Sequence, residues 1–99
     1  MEYERQRDTL LARIDGELDQ CSAQRIRREL DRLLADPGVK RLVLDLKNLT
    51  FMDSSGIGVI LGRYREMRLR GGTVAVMNMN PHVEKIFLIS GMRQIIQIL

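Results

Sequence analysis

The sequence predicts an α/β fold: a mixed, mostly parallel five-stranded sheet with its helices mainly on one face. Three observations lead there. Apolar periods of two and of 3.6 alternate along the chain in the order β-β-α-β-α-β-α-β. Each strand–helix–strand unit occupies about 30 residues, the length of a right-handed parallel crossover. The strands alternate apolar and polar positions instead of running apolar throughout, so one face of the sheet is left partly open.

Glu2–Gln6 reads as a short edge strand. Arg7-Asp8 then turns the chain into Thr9–Asp15, and two residues between strands imply an antiparallel hairpin, although Arg-Asp is not a preferred turn pair. From about Gln20 the period changes. Ala23, Ile26, Leu30, Leu33 and Leu34 form one apolar helical stripe, with Asp19 or Ser22 as N-cap and Asp36-Pro37-Gly38 as the stop. Lys40–Leu46 is the clearest strand, with Leu42, Leu44 and Leu46 on one face and Arg41, Val43 and Asp45 on the other. A second helix runs from Ser54 to Arg70, burying Ile57, Ile60, Leu61, Tyr64 and Met67 and ending at Gly71-Gly72. Thr73–Met79 is a strand. Asn80-Pro81 caps a third helix through Val83, Ile86 and Phe87 to about Ser90, and Gln94–Leu99 is the last strand.

The 99 residues make one domain, 1–99, with 44% hydrophobic residues and no apolar run near the ~20 needed to span a bilayer. The N-terminus, MEYERQRD, has no apolar signal region, and a single cysteine cannot form an internal disulfide. A cytoplasmic location is therefore expected. Sixteen basic against thirteen acidic residues give a net charge of +3, a mixed surface rather than a grip for nucleic acid. Arg63, Arg65, Arg68 and Arg70 are spread around the second helix and read as a solvated face. Neither direct nucleic-acid binding nor membrane binding is expected.

Catalytic signatures are missing too. One His and one Cys offer no metal cluster, so no metal or resident cofactor is expected. His82 reads as a surface residue and Cys21 as a half-buried structural one. DSSG lacks the leading glycine of a G-x-S-x-G elbow, and G-I-G-V-I-L-G fits no phosphate loop. An enzyme is not expected.

What remains is FMDSSGIGVILGRYREM, Phe51–Met67. Asp53-Ser54-Ser55 can be read simply as a helix cap. Yet two good candidates stand where one cap suffices, and each following glycine costs a helix about 1 kcal/mol against alanine. Gly56 and Gly58 strip side chains from the helix start, which suits close approach by another protein. Alternatively, Gly58 or Gly62 merely lets the helix sit near the sheet. A serine presented at an exposed helix start also suits a kinase. The phosphate would bring about −1.5 to −2 charges that the helix dipole accepts but an apolar or acidic docked surface would not.

Together with GELD at Gly16–Asp19 and SGM at Ser90–Met92, this block resembles the STAS-domain anti-sigma factor antagonists, closest to those of spore-forming bacteria, essentially from end to end. The resemblance implies the same fold. Family members normally carry a further C-terminal helix, which this chain is expected to lack. It also implies partner switching. The unphosphorylated protein binds an anti-sigma factor serine kinase and frees the sigma factor. That kinase brings ATP and phosphorylates Ser54, and a PP2C-type phosphatase resets the switch. Asp53, Ser54, Ser55, Gly56, Ile57 and Gly58 would form the partner contact, with Asp19 beside them as contact or cap. Two alternatives stand: a STAS interaction module of a stress-signalling, transporter or lipid system, and a nucleotide-binding protein.

Overall fold

A computed structural model describes residues 1–99. The chain runs β1 (Glu2–Gln6), β2 (Thr9–Arg13), β3 (Gly16–Leu18), α1 (Ala23–Leu33), β4 (Arg41–Asp45), β5 (Leu49–Met52), α2 (Ser54–Leu69), β6 (Thr73–Met77), α3 (Pro81–Ile89) and β7 (Gln97–Ile98), with a single 3₁₀ turn at Met92–Gln94. The main sheet has the order β1-β2-β4-β6-β7. Its first pair is antiparallel, joined by a two-residue turn in which Arg7 adopts φ 56°. All the other pairs are parallel.

The five expected strands form this sheet. Two further strands, β3 and β5, pair in parallel as a separate small ladder. Three and four residues are too few to display a period; β2 stops at Arg13, two residues short of the expected Thr9–Asp15, and Gly16, at φ 78°, opens β3. The last strand is also shorter than Gln94–Leu99, because the 3₁₀ turn takes its first residue.

The alternation in the strands predicts the core side correctly. Leu10, Ala12, Leu42, Leu44 and Val76 are buried beneath Ile26, Leu30 and Leu34 of the α1 segment, Ile60 and Met67 of α2, and Val83 and Phe87 of α3. Burying each of these side chains larger than alanine stabilises the fold by about 1.5–3 kcal/mol.

The second helix departs from its predicted face. It lies against both the sheet and α1, so Gly56, Val59, Ile60, Arg63 and Met67 are its buried residues, while Ile57, Leu61 and Tyr64 are only half-buried. Arg63 is not on a solvated face: its side chain is 10% exposed, with Nε 3.1 Å from Asp31 Oδ1 of α1 and 3.6 Å from Glu66 Oε2. The Asp31 contact is poorly aligned for a hydrogen bond, and Nη1 is buried with no partner. Arg70 is likewise committed. It donates to the carbonyls of Leu34 (2.7 Å), Asp36 (3.1 Å) and Val39 (3.3 Å), serving the orphan acceptors after α1. Arg65 and Arg68 are exposed as expected.

A buried charge that loses its counter-ion costs more than a pair removed together. Asp31→Ala leaves Arg63 with Glu66 alone, at 3.6 Å, and should destabilise the chain by about 1–3 kcal/mol, and Arg63→Met by less. Urea unfolding of the two variants checks the ranking.

Candidate functional site

Two helix starts lie side by side, and the small parallel ladder puts them there. Leu18 pairs with Met52 at the end of β3 and β5, and the residue after each is the aspartate that organises the following turn. Asp53 is the N-cap of α2. Its Oδ1 accepts from Ser55 N–H at 2.8 Å and Gly56 N–H at 3.2 Å. Asp19 makes the matching structure before α1, accepting from Cys21 N–H (2.9 Å) and Ser22 N–H (3.0 Å), while its own N–H donates to Ser22 Oγ at 3.0 Å. These bonds close the turn that precedes α1; of the two candidates for the first helix's cap, Ser22 holds the N-cap position but makes no side-chain bond to the helix, and Asp19 organises the turn instead. The Ser22 N–H above all, helped by that of Cys21, holds the Asp19 carboxyl below the ordinary carboxylate range. The turn is thus charged at neutral pH. Asp53→Ala removes acceptors for two helix-start donors and should cost about 1 kcal/mol in thermal or urea unfolding.

Ser54, the first residue of α2, is exposed, and none of the hydrogen bonds at this helix start uses its hydroxyl. Ser55 and Ile57 are half-buried. Gly58 is exposed, with nothing within 4 Å of where a Cβ would stand. It faces a groove of about 380 Å³ whose walls are Gln20, Ala23, Gln24 and Arg27 on one side and Ser55, Gly58 and Val59 on the other.

Gly56 is a correction. It is buried, and a Cβ there would stand 2.6 Å from Leu18 O, 2.6 Å from Met52 Cγ and 2.9 Å from Leu18 Cγ. Its bare backbone faces the β3–β5 ladder and not a partner. Close approach to the sheet elements, ascribed in the alternative reading to Gly58 or Gly62, is made by Gly56, while both other positions are open. Cys21, expected to be half-buried, is exposed in the Asp19–Ser22 turn.

Phe51 and His82 were not paired by any sequence pattern. Their rings stack with centroids 5.2 Å apart at 19°, and both are exposed. Phe51 stands two residues before the α2 cap, so this aromatic surface adjoins Asp53. No three His, Cys, Asp or Glu side chains converge as metal ligands, and no helix is long and apolar enough to cross a membrane.

Comparison with known proteins agrees with this geometry. The STAS domain family matches residues 1–99. A Paenibacillus polymyxa protein named anti-sigma F factor antagonist is 42% identical over 99% of this chain and 84% of its own length. A Bacillus subtilis anti-sigma-B factor antagonist is 35% identical over 86% of this chain and 76% of its own. Among solved structures, the anti-sigma factor antagonist SpoIIAA in its unphosphorylated form is 32% identical, with a TM-score of 0.85 over 99% of this chain and 86% of that one. The phosphorylated form of the Bacillus cell fate determinant SpoIIAA is 31% identical, with a TM-score of 0.76 over 99% and 89%. With two helix starts held side by side by a small parallel ladder, and with this similarity along its whole length, the chain belongs to the STAS domain family.

Proposed function

We propose that this protein is an anti-sigma factor antagonist, working in the cytoplasm, whose unphosphorylated form binds an anti-sigma factor serine kinase and is switched off by phosphorylation of Ser54. The observation that carries the reading is the exposed Ser54 hydroxyl at the first position of α2, beside the Asp19 turn. Asp53 already satisfies the donors of Ser55 and Gly56, so the Ser54 hydroxyl is not needed for the fold and is free to be modified. A phosphate there meets the positive end of the helix dipole, and the domain keeps its structure. A relative solved in a phosphorylated form and matching this chain with a TM-score of 0.76 supports that tolerance. The relatives named as antagonists of anti-sigma factors support the partner class.

In this reading the chain does no chemistry itself. The kinase brings ATP and a PP2C-type phosphatase removes the phosphate. Asp19, Ser54, Ser55, Ile57 and Gly58 form the contact, Asp53 presents Ser54, and Gly56 supports the helix from beneath. A SulP transporter STAS domain is only 20% identical and shares the fold alone.

The test is incubation with the cognate anti-sigma factor kinase and ATP, followed by mass spectrometry. One phosphate on Ser54, absent from Ser54→Ala, is expected. A phosphate on Ser55, or none, overturns the proposal.

A further inference from the structure

The groove between the two helix starts has a chemistry of its own. Gln20, Ala23, Gln24 and Arg27 follow the i, i+3, i+4, i+7 spacing that lines one face of a helix, and together they make its α1 wall. The start of α2 makes the other wall. Small residues keep the space between them open: Ala23 offers only a methyl, and Gly58 has nothing within 4 Å of where a Cβ would stand. The last residues of the chain pack against β6 and α3 and take no part in either wall.

No carboxylate lines this groove. Its one charge is Arg27, which is exposed and enters none of the chain's ion pairs. By contrast, Arg5, Arg13, Arg25, Arg63 and Arg70 each have a carboxylate partner within the chain. A guanidinium presents five N–H donors in a planar fork that fits a carboxylate, and the amides of Gln20 and Gln24 add donors along the same face. The groove is furnished for an anion.

Its surroundings select which anion. An ion pair left in water contributes little, so a small free carboxylate or phosphate gains little here. A carboxylate carried by a docked protein meets Arg27 where water has been excluded, and there the attraction is stronger. The α2 wall begins at Ser55, the residue after the proposed switch. An acid seated in the groove is therefore close to any phosphate on Ser54, and the two like charges oppose each other.

We infer that the α1–α2 groove receives an acidic side chain, an aspartate or glutamate of the anti-sigma factor kinase, with Arg27 as its counter-charge. The inference rests on the switch at Ser54 proposed above and supplies a cause for the partner's expulsion: the phosphate repels the acid that Arg27 attracts.

Calorimetric titration of the unphosphorylated chain with the cognate kinase tests it. Arg27→Ala should raise the Kd about tenfold and Arg27→Glu about a hundredfold, with unchanged melting temperatures. Arg27→Lys, which keeps the charge and loses the fork, should fall between Arg27→Ala and the unchanged chain. Added salt should weaken the unchanged chain's binding more steeply than that of Arg27→Ala. Arg25→Glu is the control for net charge, since Arg25 pairs with Glu29 and lines a separate cleft beside Ile14. It should change the Kd by less than about threefold. An Arg27→Glu variant that binds as well as Arg25→Glu overturns this inference and leaves the switch at Ser54 standing. An unchanged chain that does not bind the kinase overturns both.

Discussion

Ser54→Asp should fold normally and bind the proposed anti-sigma partner about a hundred- to a thousandfold more weakly, a loss of about 3–4 kcal/mol. The two halves of this expectation have separate causes. For the isolated chain, Ser54 is exposed at the first position of α2, where the helix dipole favours a negative charge by about 0.3–1 kcal/mol. The melting temperature should be unchanged or slightly higher. For the complex, a docked surface that accepts a neutral hydroxyl would have to desolvate a carboxylate without a counter-charge, and burial of an unpaired charge is costly. Calorimetric titration with the partner, alongside thermal unfolding of the variant alone, separates the effects. Ordinary affinity in a folded Ser54→Asp variant would remove Ser54 from the proposed contact.

Gly56→Ala should destabilise the domain by about 2–3 kcal/mol, although alanine is the better helix former by about 1 kcal/mol. The added methyl would meet Leu18 O at 2.6 Å. That oxygen belongs to the backbone of β3, whose ladder to β5 sets the spacing of the two helix starts. Relief requires α2 to lift or β3 to shift, and either movement disturbs the turn holding Asp19. Gly58→Ala is the control. Nothing lies within 4 Å of that position, so it should gain up to about 1 kcal/mol. Urea unfolding of both variants gives the comparison, and equal effects would refute the packing explanation.

Much of this arrangement was legible in the residues. Asp53 and Asn80 cap α2 and α3 as their positions before apolar helices predict. The Leu42, Leu44 and Leu46 row marks the core side of its strand, because a period of two assigns alternate side chains to opposite faces. Arg63 was not legible. Its burial arises because α2 packs on both the sheet and α1, and the second contact depends on residues about thirty positions earlier in the chain.

By itself, the sequence determined the three helices and the five strands of the main sheet, where α2 and α3 are capped, and that Ser54 stands at a helix start. These are local properties, decided by side-chain spacing and by hydrogen bonds to neighbours within a few residues. Only the tertiary structure decided that Gly56 is buried while Gly58 is open, and that the Asp19 turn packs beside the Asp53 cap. Each of these depends on how distant segments approach, and two glycines with the same intrinsic freedom differ only in what packs against them.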